Sequence, residues 1–361
     1  MNTTQIDKYF KDHRQAHLEE LKSFLRIPSV SSLSEHKADM QKGADWLIQS
    51  LTKAGLENAS IDETDGHPVV YADWLHAEGK PTILVYGHYD VQPVDPLHLW
   101  ETPPFDPHVR DNKLYARGAS DDKAQVFMHV KAVEALLNLN GELPVNIKFI
   151  LEGEEEIGSP SLPKYVEDNK EKLDADIILI SDTGMQGPGR PAVCYGLRGL
   201  AGIQIDVNGP KGDLHSGLYG GAVQNPLHAI VEILESFRDK EGVIQVEGFY
   251  DDVHPVSDEE RAEFAALDFD LENEKQAIGI SEDFGEQGYS FVERTWIRPT
   301  LEVNGITGGF SGEGIKTVLP AEASSKITCR LVPDQDPDDI IAKLKAHVEA
   351  HKPAGVSVNI T

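Results

Sequence analysis

The first half of the chain alternates between helical and strand-like patterns of apolar residues. Apolar side chains recur at helical spacing over residues 5–26, 40–54 and 122–139. Short, almost continuous apolar runs at 81–86, 145–151 and 176–180 are typical of buried strands. A strand, a helix and a strand in succession predict an α/β domain. We expect a mixed, largely parallel sheet that is flanked by helices.

The pattern changes after residue 199. Apolar and polar residues alternate strictly at 203–207, 327–331 and 356–360, which predicts strands with one buried face. A further short strand is expected at 300–303, and helices are expected at 226–238 and 337–350. The resulting order is strand, helix, strand, strand, helix, strand, which is the ferredoxin-like βαββαβ pattern. We therefore predict domains at 1–197 and 198–361, with an acidic insertion at about 240–298.

Charge and composition exclude several classes of protein. The 361 residues include 33 Lys and Arg against 61 Asp and Glu, a formal net charge of −28. Such a chain should bind neither nucleic acid nor an anionic membrane surface. The sequence has no apolar run long enough for a transmembrane helix, and residues 1–14 lack the apolar centre of a signal peptide. With two cysteines and no disulfide framework, a cytoplasmic location is predicted.

Candidate chemistry collects where the predicted strands end. His88 and Asp90 follow the first strand, three glutamates at 154–156 follow the second, and Asp182 follows the third. Asp121 lies just before the long helix. Because ligands bind at the carboxyl ends of strands in open α/β sheets, these side chains are expected to converge.

Each of these features also has a simple structural explanation. A His beside an Asp is commonly a surface pair, three glutamates can form an acidic turn, and Ser-Asp-Asp suits a helix start. Carboxylates gathered at one sheet edge would repel one another, and divalent cations would relieve that repulsion. In His-x-Asp, the imidazole can bind metal while Asp90 accepts its other N–H. Of two adjacent glutamates, one can bind metal and the other can act as the base.

Seven segments in fixed order give the sequence a family resemblance. It resembles the cytosolic non-specific dipeptidase and carnosinase branch of the zinc-dependent aminoacylase and carboxypeptidase superfamily. The matching segments are 87–93 (GHYDVQP), 117–123 (RGASDDK), 152–159 (EGEEEIGS), 182 (D), 213–217 (DLHSG), 316–320 (KTVLP) and 330–333 (RLVP).

The resemblance implies a centre of two divalent cations, Zn²⁺ or Mn²⁺. By that resemblance His88, Asp121 and Asp182 hold one cation, while Asp121 and Glu156 hold the second, with Asp121 bridging. Asp90 orients His88, and Glu155 is the general acid and base. The peptide bond after Asp121 is expected to be cis.

The resemblance also assigns roles in the second domain, which it makes a lid and dimerisation domain of a homodimer. His215 would bind the substrate oxyanion in the partner's active site, Thr317 would assist, and Arg330 would bind the substrate carboxylate. From residue type alone, a loop histidine and a strand-face ion pair are better explanations of His215 and Arg330.

The sequence departs from the family pattern in two ways. Ala124 stands where the family usually has glycine, and little effect is expected from an alanine in a first helical turn. Family members also return to the catalytic domain after the lid and supply there a last histidine ligand and a glycine-rich loop. The last predicted strand here ends at residue 360, so we expect the second cation site to be incomplete.

The leading functional prediction is metal-dependent hydrolysis of short peptides that carry a free carboxylate. An N-acyl amino acid amidohydrolase of the same superfamily is the nearest alternative, because the chemistry is the same and only recognition of the amino side differs. A third possibility is a catalytically impaired remnant that only dimerises.

Overall fold

The computed structural model describes residues 3–185, 187 and 189–361, which divide into two compact units, Met1–Cys194 and Tyr195–Thr361. Each unit is built on its own sheet. In the first unit the elements are α1 (Thr3–Leu25), α2 (Lys37–Lys53), β1 (Glu57–Asp62), β2 (Val69–Trp74), β3 (Thr82–His88), β4 (His108–Arg110), β5 (Lys113–Tyr115), α3 (Lys123–Asn140), β6 (Asn146–Glu152), α4 (Leu162–Asp168), α5 (Lys170–Leu173) and β7 (Ile177–Ile180).

The sheet of the first unit has the strand order β1-β2-β6-β3-β7. Strand β3 runs parallel to both of its neighbours, β6 and β7. The pairings of β1 with β2 and of β2 with β6 are antiparallel. The sheet is therefore mixed as expected, but the prediction of a largely parallel sheet is wrong. The sequence pattern predicted neither β1 nor β2, and these two strands make the antiparallel pairings.

Helices cover both faces of this sheet. Alternate residues of a strand point to opposite faces, so Val70 and Val85 pack with α1, α2 and α3, whereas Tyr71 and Leu84 pack on the side of α4 and α5. Strand β7 lies at the edge of the sheet, and all four of its side chains are exposed, by 37% to 64%. The sequence indicated a fully buried strand there, and that expectation is wrong. Among the described strands, β7 lies at the edge and pairs with β3 alone.

The second unit contains a four-stranded sheet and two helices that pack on it. Its elements are β8 (Gly199–Asn208), β9 (Leu214–His215), α6 (Ser216–Tyr219), α7 (Pro226–Ser236), α8 (Asp258–Ala266), α9 (Leu271–Ile278), α10 (Phe291–Trp296), β10 (Thr300–Gly308), β11 (Val318–Leu319), β12 (Glu322–Leu331), α11 (Pro337–His351) and β13 (Ser357–Ile360).

The four long strands lie in the order β10-β12-β8-β13, and all three pairings are antiparallel. Residues Ile203, Ile205 and Val207 of β8 alternate toward a core that also contains Ile230 of α7 and Leu344 of α11. Strands β9 and β11 form a separate two-stranded sheet. The acidic stretch 240–298 contains the short helices α8, α9 and α10.

Across the described residues, the structure has no helix with the length and apolar character needed to cross a membrane.

Candidate metal centre

Three strand ends bring the predicted ligands to one edge of the first sheet. His88 is the last residue of β3, and it pairs in register with Glu152, the last residue of β6. Asp182 comes two residues after β7, the other parallel neighbour of β3. Because the three strands are parallel, their carboxyl ends meet at the same edge. Asp121 lies in the segment just before α3.

His88, Asp121 and Asp182 form a compact group of possible metal ligands. Nε2 of His88 lies 3.1 Å from Oδ1 of Asp121 and 3.6 Å from Oδ2 of Asp182. One ligand atom from each residue lies within 4.8 Å of the other two. Two ligands at about 2.0–2.2 Å from a tetrahedral Zn²⁺ are roughly 3.3–3.6 Å apart, so this spacing suits a single cation. The imidazole is fully buried while the Asp121 side chain is 58% exposed, which leaves the group open to solvent on one side.

Asp90 sets the orientation of the His88 imidazole. Nδ1 of His88 lies 3.2 Å from Oδ1 of Asp90 and 3.1 Å from the Asp90 carbonyl oxygen, so Nδ1 carries the hydrogen and donates it. Nε2 then faces two carboxylates, those of Asp121 and Asp182. Burial opposes the charged imidazole, but the hydrogen bond and charge of Asp90, with the charges of Asp122 and Asp182, raise the pKa of His88 to about 10. The site therefore favours positive charge at Nε2, and a divalent cation fits these donors.

The Asp90 carboxylate also holds the backbone that carries the glutamates. Its Oδ1 accepts the N–H of Glu155 at 3.2 Å, and its Oδ2 accepts the N–H of Glu156 at 3.1 Å. A further hydrogen bond to Oδ2 comes from the hydroxyl of Ser31, at 2.6 Å. Asp90 is fully buried. One carboxylate thus connects the His88 imidazole to the segment of the predicted base.

Glu155 and Glu156 lie in a short 3-10 helix, Glu155–Ile157, that follows β6. Partial burial raises the pKa of Glu155, and the nearby charges of Glu156, Asp182 and Asp90 act in the same direction, against that of His88. Both oxygens of Glu156 accept hydrogen bonds from Gln92, at 3.1 Å from its backbone N–H and 2.6 Å from its side-chain amide. Burial raises the pKa of Glu156 as well, and the charge of Asp121 contributes. Glu156 therefore lies near Asp121 but outside the group of three.

Asp122 has a role that the sequence did not indicate. The peptide bond between Asp121 and Asp122 is cis, as the resemblance implies. The Asp122 side chain does not cap α3, although a Ser-Asp-Asp helix start suggested a cap. It is buried, and its Oδ2 accepts the backbone N–H of His88 at 3.1 Å. Burial raises its pKa to about 7, with further contributions from Asp182 and Asp121.

Two further side chains that sequence reasoning missed hold the segments of the ligands. Nε2 of His129 in α3 lies 2.7 Å from the hydroxyl of Ser181, the residue before Asp182. Lys123, fully buried, donates to the carbonyl oxygens of Phe24 and Ile27 near the end of α1. These contacts attach the ligand segments to the helical layer. The Lys in RGASDDK is a sequence signal for the second contact, whereas nothing in the sequence marks His129.

The three predicted substrate residues lie in the second unit, and all three are exposed. His215 of β9 pairs with Val318 of β11, and Thr317 precedes that strand, so the two segments are neighbours in the two-stranded sheet. Nδ1 of His215 accepts the N–H of Gly217 at 3.0 Å. Arg330 lies near the end of β12 in the other sheet, where it pairs with Thr300 and Leu200.

Comparisons with known proteins agree on one family. The model of peptidase family M20/M25/M40 matches residues 84–354. The Cys-Gly metallodipeptidase dug1 of Schizosaccharomyces pombe is 35% identical over 335 residues, which are 89% of this chain and 70% of that protein. The human Beta-Ala-His dipeptidase is 33% identical over 359 residues, 96% of this chain and 71% of that protein.

A solved structure shows the same likeness. The M20 family metallo-carboxypeptidase Sso-CP2 from Sulfolobus solfataricus superimposes with a TM-score of 0.80 at 37% identity, and the match covers 95% of this chain and 77% of that one. The family resemblance predicted from the sequence motifs is confirmed.

Proposed function

The chain belongs to peptidase family M20/M25/M40 and is a metal-dependent dipeptidase, and we propose that Glu155 acts as its general acid and base beside two bound divalent cations. The observation that carries this proposal is the meeting of His88, Asp121 and Asp182 at one sheet edge, with ligand atoms within 4.8 Å of one another. Glu155 is the first residue of the 3-10 helix after β6, and its backbone N–H donates to Asp90, which also binds His88.

The proposed ligand set follows the chemistry of the side chains. His88, Asp121 and Asp182 would hold one cation, and Asp121 and Glu156 would hold the second. Asp121 suits the bridging position because its side chain faces His88 and its charge also acts on Glu156. Imidazole with carboxylates is a donor set that suits Zn²⁺, and carboxylate oxygens suit Mn²⁺. We propose one of these two metals.

Divalent cations bound at this site would supply Lewis acidity, which makes water a usable nucleophile near neutral pH. Glu155 then accepts a proton from the attacking water and later donates it to the nitrogen of the leaving amine. Its raised pKa suits both steps, because a base and an acid in one cycle work best with a pKa closer to neutrality than that of an ordinary glutamate. Asp90 keeps the imidazole and the Glu155 backbone in place throughout.

The roles proposed for the second unit rest on its topology and exposed side chains. The strand order β10-β12-β8-β13, with α7 and α11 on the sheet, supports a ferredoxin-like lid and dimerisation domain. We propose that the protein forms a homodimer through it. An exposed guanidinium such as that of Arg330 can bind a peptide carboxylate in a bidentate manner. His215 is proposed to bind the substrate oxyanion in the partner's active site, and Thr317 is proposed to assist.

A cytoplasmic location is also part of the proposal. It is supported by the use of cysteine: Cys194 is exposed in the first unit, while Cys329 is buried in the core of the second. A reducing compartment suits a chain without a disulfide framework.

An assay with two substrate classes tests the proposal. The protein is supplied with Zn²⁺ or Mn²⁺ and given an unblocked dipeptide or an N-acetyl amino acid. We expect the unblocked dipeptide to be hydrolysed with the higher kcat/KM, and Glu155→Gln to lower its kcat by about 10²–10⁴. Preference for the acetylated compound would instead establish an amidohydrolase. Absence of hydrolysis with both, in a dimer saturated with metal, would identify a non-catalytic remnant.

A further inference from the structure

Two buried serines on one loop reach the segment that follows His88. They lie in the loop after α1, where Ser29 is fully buried and Ser31 is 8% exposed. The hydroxyl of Ser29 donates to the carbonyl oxygen of Tyr89 at 2.6 Å. The hydroxyl of Ser31 donates to Oδ2 of Asp90, also at 2.6 Å. The two serines therefore match in burial and bond length, but one binds backbone and the other binds the carboxylate.

The Asp90 carboxylate is fully occupied by its donors. A carboxylate offers about four lone-pair positions. Here Nδ1 of His88 and the N–H of Glu155 use Oδ1, while the N–H of Glu156 and the hydroxyl of Ser31 use Oδ2. Three of these donors belong to the proposed catalytic machinery. Ser31 is the fourth, and it lies 59 positions away along the chain.

Hydrogen bonds through His67 also connect Ser31 to Glu154, the residue before the predicted base. Its carbonyl oxygen lies 3.0 Å from Nε2 of His67. The backbone N–H of His67 donates to Oε1 of Glu154 at 2.9 Å, and Oε2 of Glu154 accepts the N–H of Ser161 at 3.0 Å. Glu154 is buried and immediately precedes Glu155. Ser31 is thus connected through His67 to Glu154. The residues that follow Glu154, Glu155 and Glu156, are those whose backbone N–H groups Asp90 binds.

From this arrangement we propose that Ser31 is a positioning residue of the metal centre. Its hydroxyl fixes the rotation of the Asp90 carboxylate, which in turn orients His88 toward the cation and holds the backbone of Glu155 and Glu156. Without the hydroxyl, Oδ2 loses a short buried hydrogen bond, and the carboxylate can turn away from the imidazole or from the glutamate backbone. The inference rests on the proposed function, because it assigns Ser31 to that site.

Ser29 supplies the matched control. Ser31→Ala and Ser29→Ala each remove one buried hydroxyl from the same loop. Zn²⁺ affinity is measured by competition with a chromophoric chelator, the Co²⁺ absorption spectrum reports ligand geometry, and kcat and KM are measured with an unblocked dipeptide. We expect Ser31→Ala to weaken Zn²⁺ binding about tenfold, as loss of groups that orient metal ligands does. It should also change the Co²⁺ spectrum and lower kcat more than it raises KM.

Ser29→Ala is expected to lower the melting temperature yet keep the metal affinity and the Co²⁺ spectrum of the unmodified protein. Ser31→Thr restores the hydroxyl and should recover the affinity. If Ser31→Ala does not fold, Ser31→Cys replaces the hydroxyl with a slightly larger thiol that is a weaker donor, and the same comparison is made with it. Equal metal affinity and spectra in the Ser29 and Ser31 variants would overturn the proposal.

The two proposals fail separately. Tight metal binding without dipeptide hydrolysis in the unmodified protein would remove the proposed function and leave the metal measurements on Ser31 valid. Dipeptide hydrolysis that is insensitive to Ser31→Ala, with unchanged metal affinity, would remove only the role of Ser31.

Discussion

Oδ1 of Asp90 lies 3.2 Å from Nδ1 of His88, and neither side chain is exposed to solvent. A carboxylate in this position keeps a hydrogen on Nδ1 and directs Nε2, the nitrogen available to a cation, toward Asp121 and Asp182. The relationship explains how a histidine at a strand end is held in a defined direction, as the proposed role of a metal ligand requires.

Asp90→Asn should weaken metal binding. The amide offers one oxygen where the carboxylate offers two. The donors at Oδ1, from His88 and Glu155, and those at Oδ2, from Glu156 and Ser31, can therefore no longer all be held. We expect the Zn²⁺ affinity to fall about 10–100-fold, measured by competition with a chelator. Asp73→Asn is the control, because Asp73 is also buried but is hydrogen-bonded to Tyr71 and Asn58. Equal affinities in the two variants would contradict the role of Asp90.

Glu155→Gln should separate catalysis from metal binding. Glutamine keeps the size of the side chain but cannot accept and return a proton. We expect kcat for an unblocked dipeptide to fall by about 10²–10⁴, the range for loss of a general acid or base. Zn²⁺ affinity should remain unchanged, as it should in the control Glu167→Gln on the exposed surface of α4. Retained activity would show that another group performs the proton transfer.

Lys131→Met should destabilise the first unit through the contact between α1 and α3. Lys131 is buried, and its Nζ donates to Glu20 at 2.8 Å and to Glu134 at 2.6 Å. Because both carboxylates keep other partners, we expect a loss of about 1.5–3 kcal/mol in the free energy of unfolding by urea. The exposed pair of Lys164 and Asp168 is the comparison, and Lys164→Met should change stability by less than about 1 kcal/mol. A similar loss in both variants would contradict this account of the helix contact.

The second unit should lose stability in acid partly through His347 of α11. Burial, and then the charge of His351, lower the pKa of His347 to about 4. An ordinary histidine in the unfolded chain has a pKa of about 6.5, so protons bind the unfolded state more readily. The contribution of neutral His347 is complete above about pH 6.5 and is lost as the pH falls toward 4.

His347→Gln tests that dependence. Hydrogen exchange of the amides in β8 and β12 measures the stability of the second unit at each pH. Carboxylates titrate in both proteins, so the difference between the variant and the unmodified protein isolates His347. We expect the variant to lose less stability between pH 6.5 and pH 4. Identical slopes would show that the protonation of His347 is not linked to unfolding.

Much of the fold could be predicted because apolar periodicity is local. The patterns at 122–139 and 145–151 correspond to α3 (Lys123–Asn140) and β6 (Asn146–Glu152). Strand β2 (Val69–Trp74) escaped prediction although it is buried throughout. It contains Asp73, whose carboxylate is satisfied by Tyr71 and Asn58, and a charged residue breaks the apolar run by which buried strands are detected.

The candidate site could also be predicted only in part from the sequence. His88 and Asp90 are two positions apart, so their chemistry can be inferred from the motif. Ser31 reaches Asp90 across 59 positions, and His129 reaches Ser181 across 52. Such contacts depend on how the elements pack, and no local pattern encodes them. The family resemblance supplied the proposed ligands but gave no indication of these supporting hydrogen bonds.

The location of bound zinc tests the central claim most directly. Crystals grown with Zn²⁺ are measured above the zinc absorption edge, and an anomalous difference map is calculated. We predict a peak at about 2.0–2.2 Å from Nε2 of His88 and from carboxylate oxygens of Asp121 and Asp182. A second peak is expected about 3.5–4 Å away, beside Asp121 and Glu156. Zinc bound elsewhere, with no density between His88, Asp121 and Asp182 in a protein that hydrolyses dipeptides, would contradict the account.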